Sequence, residues 1–401
     1  MNQQTALLPR ASDARKVLLL SWAAYAASYV SRSNMAVSLA RIVRDNEYPV
    51  SAVSVLGTLF FVFYAVGQLA NGRIGDYAPP RLMIALGMLF SGMCNMLFGL
   101  TRAYWVLALS WAINGYALSA LWGPMMRLMA HYYDEKRRNA VSMIMMTSSA
   151  VGCVVSWGFA EPILSRFGYR ALFLGTGALT IGYCLAFFLL LPRAAVAPEK
   201  HVAKKGSIHS ELSVLVAITL ICATMGFIKE GINFYAPYML GKVGSLPVAF
   251  AVILPVFSFA GSVLSGFLNR RSDASMIRMI ATLFGACLVS LAVLFAFGTG
   301  GTFGAVLILG MLGIASATMY AVTTYLIGFY PMRFDKVNAV SYVCGLLDFF
   351  TYLGAGASSL LSGALFDRFG LSSVILVWML LAALVTAACG VAFARGKRRT
   401  I

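Results

Sequence analysis

Charged residues are scarce in this chain, and acidic residues are the scarcest. Only 11% of its 401 residues are charged, with 14 Asp and Glu against 31 Lys and Arg, whereas 60% are hydrophobic. A soluble domain carries about 25% charged residues, so this composition excludes a sizeable soluble domain. The apolar stretches are about as long as the roughly 20 residues that cross a bilayer as a helix. The composition therefore predicts an all-α, polytopic membrane protein.

Several other signals are missing. The seven cysteines lie in apolar stretches without a CxxC pair, so neither a disulfide framework nor a metal site is expected. The three histidines fall at the predicted membrane edges, which leaves no histidine for an internal proton relay. The chain has no nucleotide-binding motif, and we expect no cofactor and no enzyme activity. Its first 16 residues are polar, so no cleavable signal peptide is expected.

Short polar breaks divide the chain into twelve predicted transmembrane helices. These are expected, within a few residues, at 17–40, 51–71, 82–100, 104–130, 140–163, 169–191, 212–240, 247–268, 277–298, 303–329, 339–364 and 371–394. The longest polar connection, 192–210, is rich in Pro, Lys, Ser and Gly and is predicted to be a flexible cytoplasmic linker. The predicted domains are therefore an N-terminal six-helix bundle over 1–191 and a C-terminal one over 211–401.

The net charge of +17 could suggest a nucleic-acid partner, but its distribution argues against one. With the N-terminus inside, the predicted inner loops and tails hold roughly three times as many Lys and Arg residues as the outer loops. The positive-inside rule then places both termini in the cytoplasm. Much of the basic excess would contact anionic lipid headgroups. We expect a multi-pass protein of the cell (inner) membrane.

The two halves of the chain resemble each other. Three segments recur at offsets between 194 and 202 residues: RNAVS of 138–142 as VNAVS of 337–341, RFG of 166–168 as RFG of 368–370, and the loop of 72–81, in degenerate form, as that of 266–278. Two six-span halves in the same orientation form a parallel repeat, which binds substrate near the midplane between the halves. The repeat predicts two pseudo-symmetric bundles around a central cavity.

Two basic residues lie inside predicted spans, where lipid disfavours charge. They are Arg32 and Lys229, 197 positions apart. A charge at the bilayer centre costs roughly 2.5–3.5 kcal/mol on insertion scales and normally marks a binding site or a pathway. Because their spacing is close to the repeat, both are expected to face the same cavity.

The loop after the second span contains a recognisable pattern. Gly72-Arg73-Ile74-Gly75-Asp76, followed by Arg81, resembles the signature between the second and third helices of the major facilitator superfamily. The resemblance implies that Asp76 pairs with basic residues such as Arg73 at a cytoplasmic gate. Tyr77 and the Pro79-Pro80 pair depart from the usual basic run.

More specific motifs resemble the organophosphate:phosphate antiporter family, which includes glycerol-3-phosphate and hexose-6-phosphate transporters. They are YVSRSN of 29–34 on the first helix, NG of 114–115 with LWGPMMR of 121–127 on the fourth, GFIKEGINFYAP of 226–237 on the seventh, and Asp348 with YLGA of 352–355 on the eleventh. The resemblance implies a monomeric carrier that exchanges a sugar or polyol phosphate for inorganic phosphate. Related anion:cation symporters also carry a first-helix arginine motif.

The chain departs from glycerol-3-phosphate carriers at four positions. Ser33 and Gln68 align with family lysines, Ser149 aligns with a histidine, and Lys229 aligns with an arginine. The predicted site therefore has fewer positive charges than the best-known members, whose substrate does not transfer to this chain.

The candidate substrate ligands combine two cations with neutral polar groups. Arg32 offers a planar fork that can hold two oxygens at once, and Lys229 offers a compact, movable charge. The neutral candidates are Tyr25, Tyr29, Tyr64, Tyr352, Gln68 and Asn34. Spacings of four residues place Tyr25 with Tyr29, Tyr64 with Gln68, and Asp348 with Tyr352 on shared helix faces. The tyrosines could instead be core aromatics, and Asn34 could instead form a helix–helix hydrogen bond.

One basic group from each half could close on one anion, whereas an empty site would keep two like charges together. This contrast favours obligatory exchange. Glu230 and Asp348 leave an alternative open, a proton-coupled carboxylate symporter in which one of them carries the proton. A third possibility is a membrane sensor of sugar phosphate, which would bind its ligand without flux.

Overall fold

A computed structural model describes residues 11–75, 77–192, 212–243, 248–268, 276–297, 301–337 and 339–398. The long helices are α1 (Ala11–Asn46), α2 (Val50–Gly75), α3 (Pro80–Leu100), α4 (Tyr104–Tyr132), α5 (Glu135–Leu190), α6 (Leu212–Val243), α7 (Ile253–Leu268), α8 (Met276–Phe297), α9 (Gly301–Thr323), α10 (Val340–Phe369) and α11 (Leu371–Arg398). A 3-10 helix, Val248–Val252, precedes α7. Beyond α9 the chain continues as a π-helical segment, Thr324–Phe329, and a 3-10 helix, Tyr330–Val337.

The repeated RFG segments mark equivalent turns in the two halves. Gly168 breaks α5 with φ 75° and ψ 175°, and Gly370 ends α10 with φ 77° and ψ −175°. This region of backbone space is occupied almost only by glycine. Each RFG therefore ends one span and starts the next, and α5 contains two predicted spans rather than one.

The helices account for the predicted spans. Ten helices of the described chain are long and apolar enough to cross a membrane when α5 is counted once. α1 is not among the ten, because Arg32, Asn34 and several serines interrupt its apolar residues. With α1 and both limbs of α5, the described ranges hold twelve long helical segments.

Helix packing follows the same scheme in both halves. In the first half α1 packs on α5 and α2 on α4, and in the second half α6 packs on α10 and α7 on α9. Small residues bring these helices together: a Cβ added to Gly226 would lie 1.9 Å from the Thr351 carbonyl oxygen, and one on Gly354 would lie 2.0 Å from that of Ala223. Such contacts let membrane helices pack by van der Waals attraction. The fold is thus two pseudo-symmetric six-helix bundles.

Near the face where α1 ends and α2 begins, hydroxyl groups join α2 of the first half to α10 of the second. The Tyr235 hydroxyl of α6 lies 3.0 Å from the Ser54 hydroxyl and donates to the Ser359 carbonyl at 2.5 Å. The Ser359 hydroxyl in turn donates to the Ser54 carbonyl at 3.1 Å. We call this the distal face. The other face, where α1 begins and α11 ends, is called the termini face.

At the termini face the same two helices touch through glycines. A Cβ on Gly345 of α10 would lie 2.3 Å from the Gln68 carbonyl oxygen and 3.0 Å from the Gly72 Cα atom of α2. Because these are backbone atoms, they cannot yield as a flexible side chain would. α2 and α10 therefore meet near both faces, and between these contacts the ring centres of Tyr64 and Tyr352 lie 4.1 Å apart.

The repeated NAVS segments supply matching contacts at the termini face. Ser142 of α5 donates to the Gly328 carbonyl in the π-helical segment at 2.7 Å. Ser341 of α10 faces Gly123 of α4, where an added Cβ would lie 2.4 Å from the serine oxygen. Each serine thus packs against a glycine of the opposite half, so the sequence repeat recurs as a repeated contact between halves.

The glycine contact at the termini face predicts that Gly345→Val holds this face open. The open form of a two-state protein is typically about 0.1–10% populated, so destabilising the closed form should speed reaction of a Gln68→Cys reporter about tenfold or more. The measurement is maleimide labelling in a background without native cysteines. Gly182→Val is the matched control, because a Cβ there meets nothing within 4 Å. Equal labelling of both variants would contradict the prediction.

Candidate functional site

The structure brings the two intramembrane cations to one place between the halves. Arg32 lies on α1 and Lys229 on α6, and both are buried, with 9% and 3% of their surface exposed. α1 and α6 contact each other across the boundary between the two halves. The two cations border separate small cavities rather than the common cavity that their spacing predicts.

A single carboxylate lies between the two cations. Glu230 places Oε1 3.0 Å from the Lys229 amine and Oε2 3.6 Å from the Arg32 guanidinium. Lys229 and Glu230 are neighbours in sequence, and their side chains nevertheless pair. The sequence predicts two like charges near each other in an empty site; in the structure a carboxylate of the second half contacts both and offsets part of their charge.

Aromatic rings surround the Arg32 guanidinium. Its central carbon lies 4.8 Å from the ring centre of Tyr29, 5.2 Å from that of Tyr64 and 5.0 Å from that of Tyr352. Phe60 adds a fourth ring at 5.3 Å. Arg32 also donates a hydrogen bond of 2.9 Å to the Tyr352 hydroxyl, across the boundary between the halves. Cation–π contacts of this kind stabilise a desolvated charge while leaving some of its N–H groups available.

The charged groups face two small cavities. The first is bordered by Arg32 and Glu230 with Tyr29, Phe60, Trp111, Asn233 and Tyr320, and it offers about 50 Å³ to the centres of water-sized molecules. The second is bordered by Lys229 and Asp348 with Tyr25, Tyr29, Trp122, Ser149, Tyr320 and Tyr352, and it offers about 20 Å³. One water needs roughly 10–15 Å³ by this measure. The site is thus contracted to the size of a few waters.

Three of the predicted ligands border neither cavity. Tyr64 contacts the Arg32 guanidinium without bordering either one. Asn34 donates to Asn95 at 2.9 Å and to Thr176 at 3.0 Å, so it joins α1 to α3 and α5 as a helix–helix hydrogen bond. Gln68 is buried, but it borders neither cavity and lies where α2 meets α10. Asn34 and Gln68 therefore lie at contacts between helices, and their role as substrate ligands stays a prediction.

Of the two predicted gate residues, Arg73 lies at the termini face. Arg73 of α2 stacks on Tyr77 at 5.4 Å and on Tyr342 of α10 at 6.0 Å, which links the two halves. Asp76 lies outside the described residues. Arg127 of α4 donates to the carbonyls of Gly75 and Ala78 at 2.9 and 3.1 Å, where α2 ends. Arg73 thus lies where α2 meets α10, and its pairing with Asp76 at a gate stays a prediction.

Sequence reasoning missed several residues that border the site. Asn233 and Tyr320 are polar, and Asn233 donates to the Tyr320 hydroxyl at 3.1 Å. Asn233 follows Lys229 by four residues, a spacing that could have identified it. Tyr320 is followed by Thr323 and Thr324 in an otherwise apolar span, which is a weaker signal. Phe60 and Trp111 carry no signal that separates them from ordinary core aromatics.

Known proteins resemble this chain in sequence and in fold. The sequence profile of the Major Facilitator Superfamily matches residues 21–340. A probable hexose phosphate transport protein of Chlamydia pneumoniae is 26% identical over 159 residues, which are 38% of this chain and 34% of that protein. The membrane sensor protein UhpC of Salmonella typhimurium is 26% identical over 169 residues, 42% of this chain and 38% of that protein. The matched stretches thus span little more than a third of these curated relatives.

A solved structure shares the fold over nearly the whole chain. It is a bacterial homolog of the human lysosomal transporter Spinster, in an inward-facing and unoccupied conformation, with TM-score 0.73 and 16% identity. The alignment covers 96% of this chain and 98% of that one. The curated relatives are of the kind that the motifs predicted, which confirms the resemblance to the organophosphate:phosphate antiporter family.

The hydrogen bond between Arg32 and Tyr352 predicts the effect of Tyr352→Phe. A hydrogen bond to a charged group contributes about 1.5–3 kcal/mol and a neutral one about 0.5–1.5 kcal/mol. Tyr352→Phe should therefore lower the free energy of unfolding, measured by denaturant titration in mixed micelles, more than Tyr183→Phe does. The control removes a neutral bond of 3.2 Å from Tyr183 to the Leu20 carbonyl. A smaller loss at Tyr352 than at Tyr183 would contradict the prediction.

Proposed function

Because the chain belongs to the major facilitator superfamily, we propose that it is a secondary transporter that moves a small organic anion by alternating access. The proposed substrate is a sugar or polyol phosphate, exchanged for inorganic phosphate. One relative is named a probable hexose phosphate transport protein, and another is named a membrane sensor protein. No nucleotide-binding motif is present in the sequence, so the proposed transport draws on solute gradients.

One observation carries the proposal: a cation from each half contacts the same carboxylate. Arg32 and Lys229 bind separate oxygens of Glu230. A phosphoryl group presents three acceptor oxygens and one to two negative charges, so it can engage both cations in the same way. An anion held between the halves would draw them together, which is the step that alternating access requires.

The remaining residues have supporting roles in this proposal. Tyr29, Tyr64 and Tyr352 hold the guanidinium of Arg32, and Tyr25 borders the cavity next to Lys229. Gln68 and Asn34 act through helix packing rather than by contact with substrate. Arg73 and Asp76 belong to the gate at the termini face.

The membrane arrangement completes the proposal. Bundles over 1–191 and 211–401, joined by the linker of 192–210, rock about the central site. By the positive-inside rule, the basic loops support the proposal that both termini are cytoplasmic and that the protein lies in the inner membrane. Large apolar side chains such as Trp105, Phe159, Phe167 and Leu189 are exposed on the described surface and would contact lipid. The carrier is proposed to act as a monomer.

A proton-coupled carboxylate symporter is the second candidate, and the presence of Asp348 beside Lys229 favours it. Both border the smaller cavity, and Asp348 has 5% of its surface exposed. A buried carboxyl group near the substrate site could take up a proton with the anion. The sensor function remains a third candidate, supported by the name of the Salmonella relative.

The exchange proposal predicts rapid phosphate counterflow in proteoliposomes at equal pH on both sides. Arg32→Ala should reduce uptake of labelled phosphate to background. Arg32→Lys should fail too, because lysine lacks the bidentate fork. Lys229→Ala should slow uptake about tenfold to a hundredfold, because the substrate loses one charge-assisted hydrogen bond. Inhibition by external sugar phosphates then ranks the substrates.

A matched arginine on the same helix provides the control. Arg41 lies in α1 outside the cavity and pairs with Asp45 at 3.0 Å, with a third of its side chain exposed. Arg41→Ala should retain normal counterflow. Near-normal flux in Arg32→Ala would refute the assignment of the site. Absence of exchange by folded wild-type protein would favour the symporter or the sensor.

Proton dependence separates the first two candidates. Phosphate exchange should proceed without a pH gradient and should survive collapse of the gradient by an ionophore. The symporter instead requires an inward proton gradient, and Asp348→Asn would abolish its uptake. The measurement is the initial uptake rate with and without the gradient for wild type and Asp348→Asn. Gradient-dependent uptake lost in Asp348→Asn would overturn the exchange proposal.

A further inference from the structure

Glu230 contacts both of the proposed substrate ligands, Arg32 and Lys229. Its two carboxylate oxygens are divided between two cations, Oε1 to Lys229 of its own helix and Oε2 to Arg32 of the opposite half. Its side chain has 7% of its surface exposed and borders the larger cavity with Arg32. The carboxylate is therefore bound where the substrate's phosphoryl oxygens would have to bind.

The charges near the cavities balance only when Glu230 is counted. Arg32 and Lys229 contribute two positive charges, and Glu230 and Asp348 contribute two negative ones. Removing two cations from water without paired anions costs several kcal/mol per ion in proteins. The contracted arrangement, with α2 touching α10 near both faces, thus needs an anion between the cations, and Glu230 supplies one from within the chain.

The pair with Arg32 is imperfect. The separation of 3.6 Å exceeds hydrogen-bonding distance, and Arg32 Nη2 has no hydrogen-bond partner within the part of the chain that the structure describes. A buried donor without a partner is costly, and a better-placed acceptor would relieve that cost. A phosphoryl group has more oxygens and no tether to α6, so it can satisfy this donor where Glu230 does not.

We infer that Glu230 is a tethered anion that takes the place of the substrate when the site is empty, so that substrate must displace it from Arg32 and Lys229 to bind. The inference rests on the proposed function and deepens it, because it identifies an internal competitor for the same site. Glu230 is here a positioning and competing residue rather than a ligand of the substrate.

This arrangement changes the expected coupling of the carrier. Two unpaired cations would prevent an empty carrier from closing and would enforce exchange. With Glu230 between them, the empty carrier closes and can reorient without cargo. Net flux of the anion then accompanies exchange, and its rate depends on the negative charge of Glu230.

Phosphate binding to Glu230→Gln tests the inference directly. Glutamine keeps the shape of the side chain and removes its charge, so inorganic phosphate no longer competes with a carboxylate. The dissociation constant of inorganic phosphate, measured by calorimetric titration of the purified full-length protein, should be about tenfold lower or more in Glu230→Gln than in wild type. A tenfold change corresponds to about 1.4 kcal/mol. Glu161→Gln is the control, because Glu161 is exposed and outside both cavities, and its binding should match wild type.

Flux provides the second measurement on the same variants. The ratio of phosphate exchange to net phosphate efflux into phosphate-free buffer should rise several-fold in Glu230→Gln, because its empty site can no longer neutralise both cations. Thermal unfolding of the variant checks that it remains folded. A Glu230→Gln protein that is poorly folded would be replaced by Glu230→Asp, whose shorter side chain should also tighten phosphate binding.

The outcomes separate this inference from the proposed function. Phosphate binding that Arg32→Ala abolishes and that Glu230→Gln leaves unchanged or weakens would overturn the inference while the proposed function stands. Wild-type protein that binds no phosphate would overturn both. Tighter binding in Glu230→Gln with an unchanged ratio of exchange to efflux would overturn the link to reorientation of the empty carrier.

Discussion

The contact of one carboxylate with two cations from opposite halves is the interaction on which this structure depends. Arg32 and Lys229 lie at a depth where an isolated charge is strongly disfavoured, and Glu230 lies between them. The aromatic rings around Arg32 and the hydrogen bond to Tyr352 support the same charge from the second half. The contracted cavity and the close approach of α2 to α10 are compatible with buried charge only because this pairing exists.

In the proposed mechanism, the two halves separate and rejoin around that pairing. Within each half, glycines bring helices close enough for tight packing, as at Gly226 and Gly354. Between the halves, α2 and α10 pack along their length. Hydroxyl hydrogen bonds at Ser54 and Ser359 lie near one face, glycine and serine contacts lie near the other, and the ring centres of Tyr64 and Tyr352 are 4.1 Å apart between them. The proposed alternation between two openings therefore requires the contacts near one face to break while those near the other face hold.

The two halves share their backbone arrangement, but they differ in the charged residues near the cavities. The RFG and NAVS repeats recur as equivalent turns and equivalent contacts between halves, so the scaffold is symmetric. The binding charges are distributed unequally: the first half contributes the fork of Arg32, and the second contributes Lys229, Glu230 and Asp348. In the proposed mechanism, the first half supplies one ligand, Arg32, and the second half supplies both a ligand, Lys229, and its competitor, Glu230.

The sequence by itself determined the span pattern, the repeat, the enclosed cations and the family resemblance, because hydrophobic periodicity and the cost of charge in lipid are local properties of the chain. It also identified Tyr29, Tyr64, Tyr352 and Asp348 as neighbours of the site through their spacing on helix faces. Only the tertiary structure decided which side chains meet across helices: that Asn34 joins α3 and α5, that Gln68 lies at the contact with α10, and that Tyr320 and Asn233 border the cavity. Above all, it decided that Glu230 bridges both cations, because the side-chain directions and the distance between α1 and α6 are set by packing that no single segment encodes.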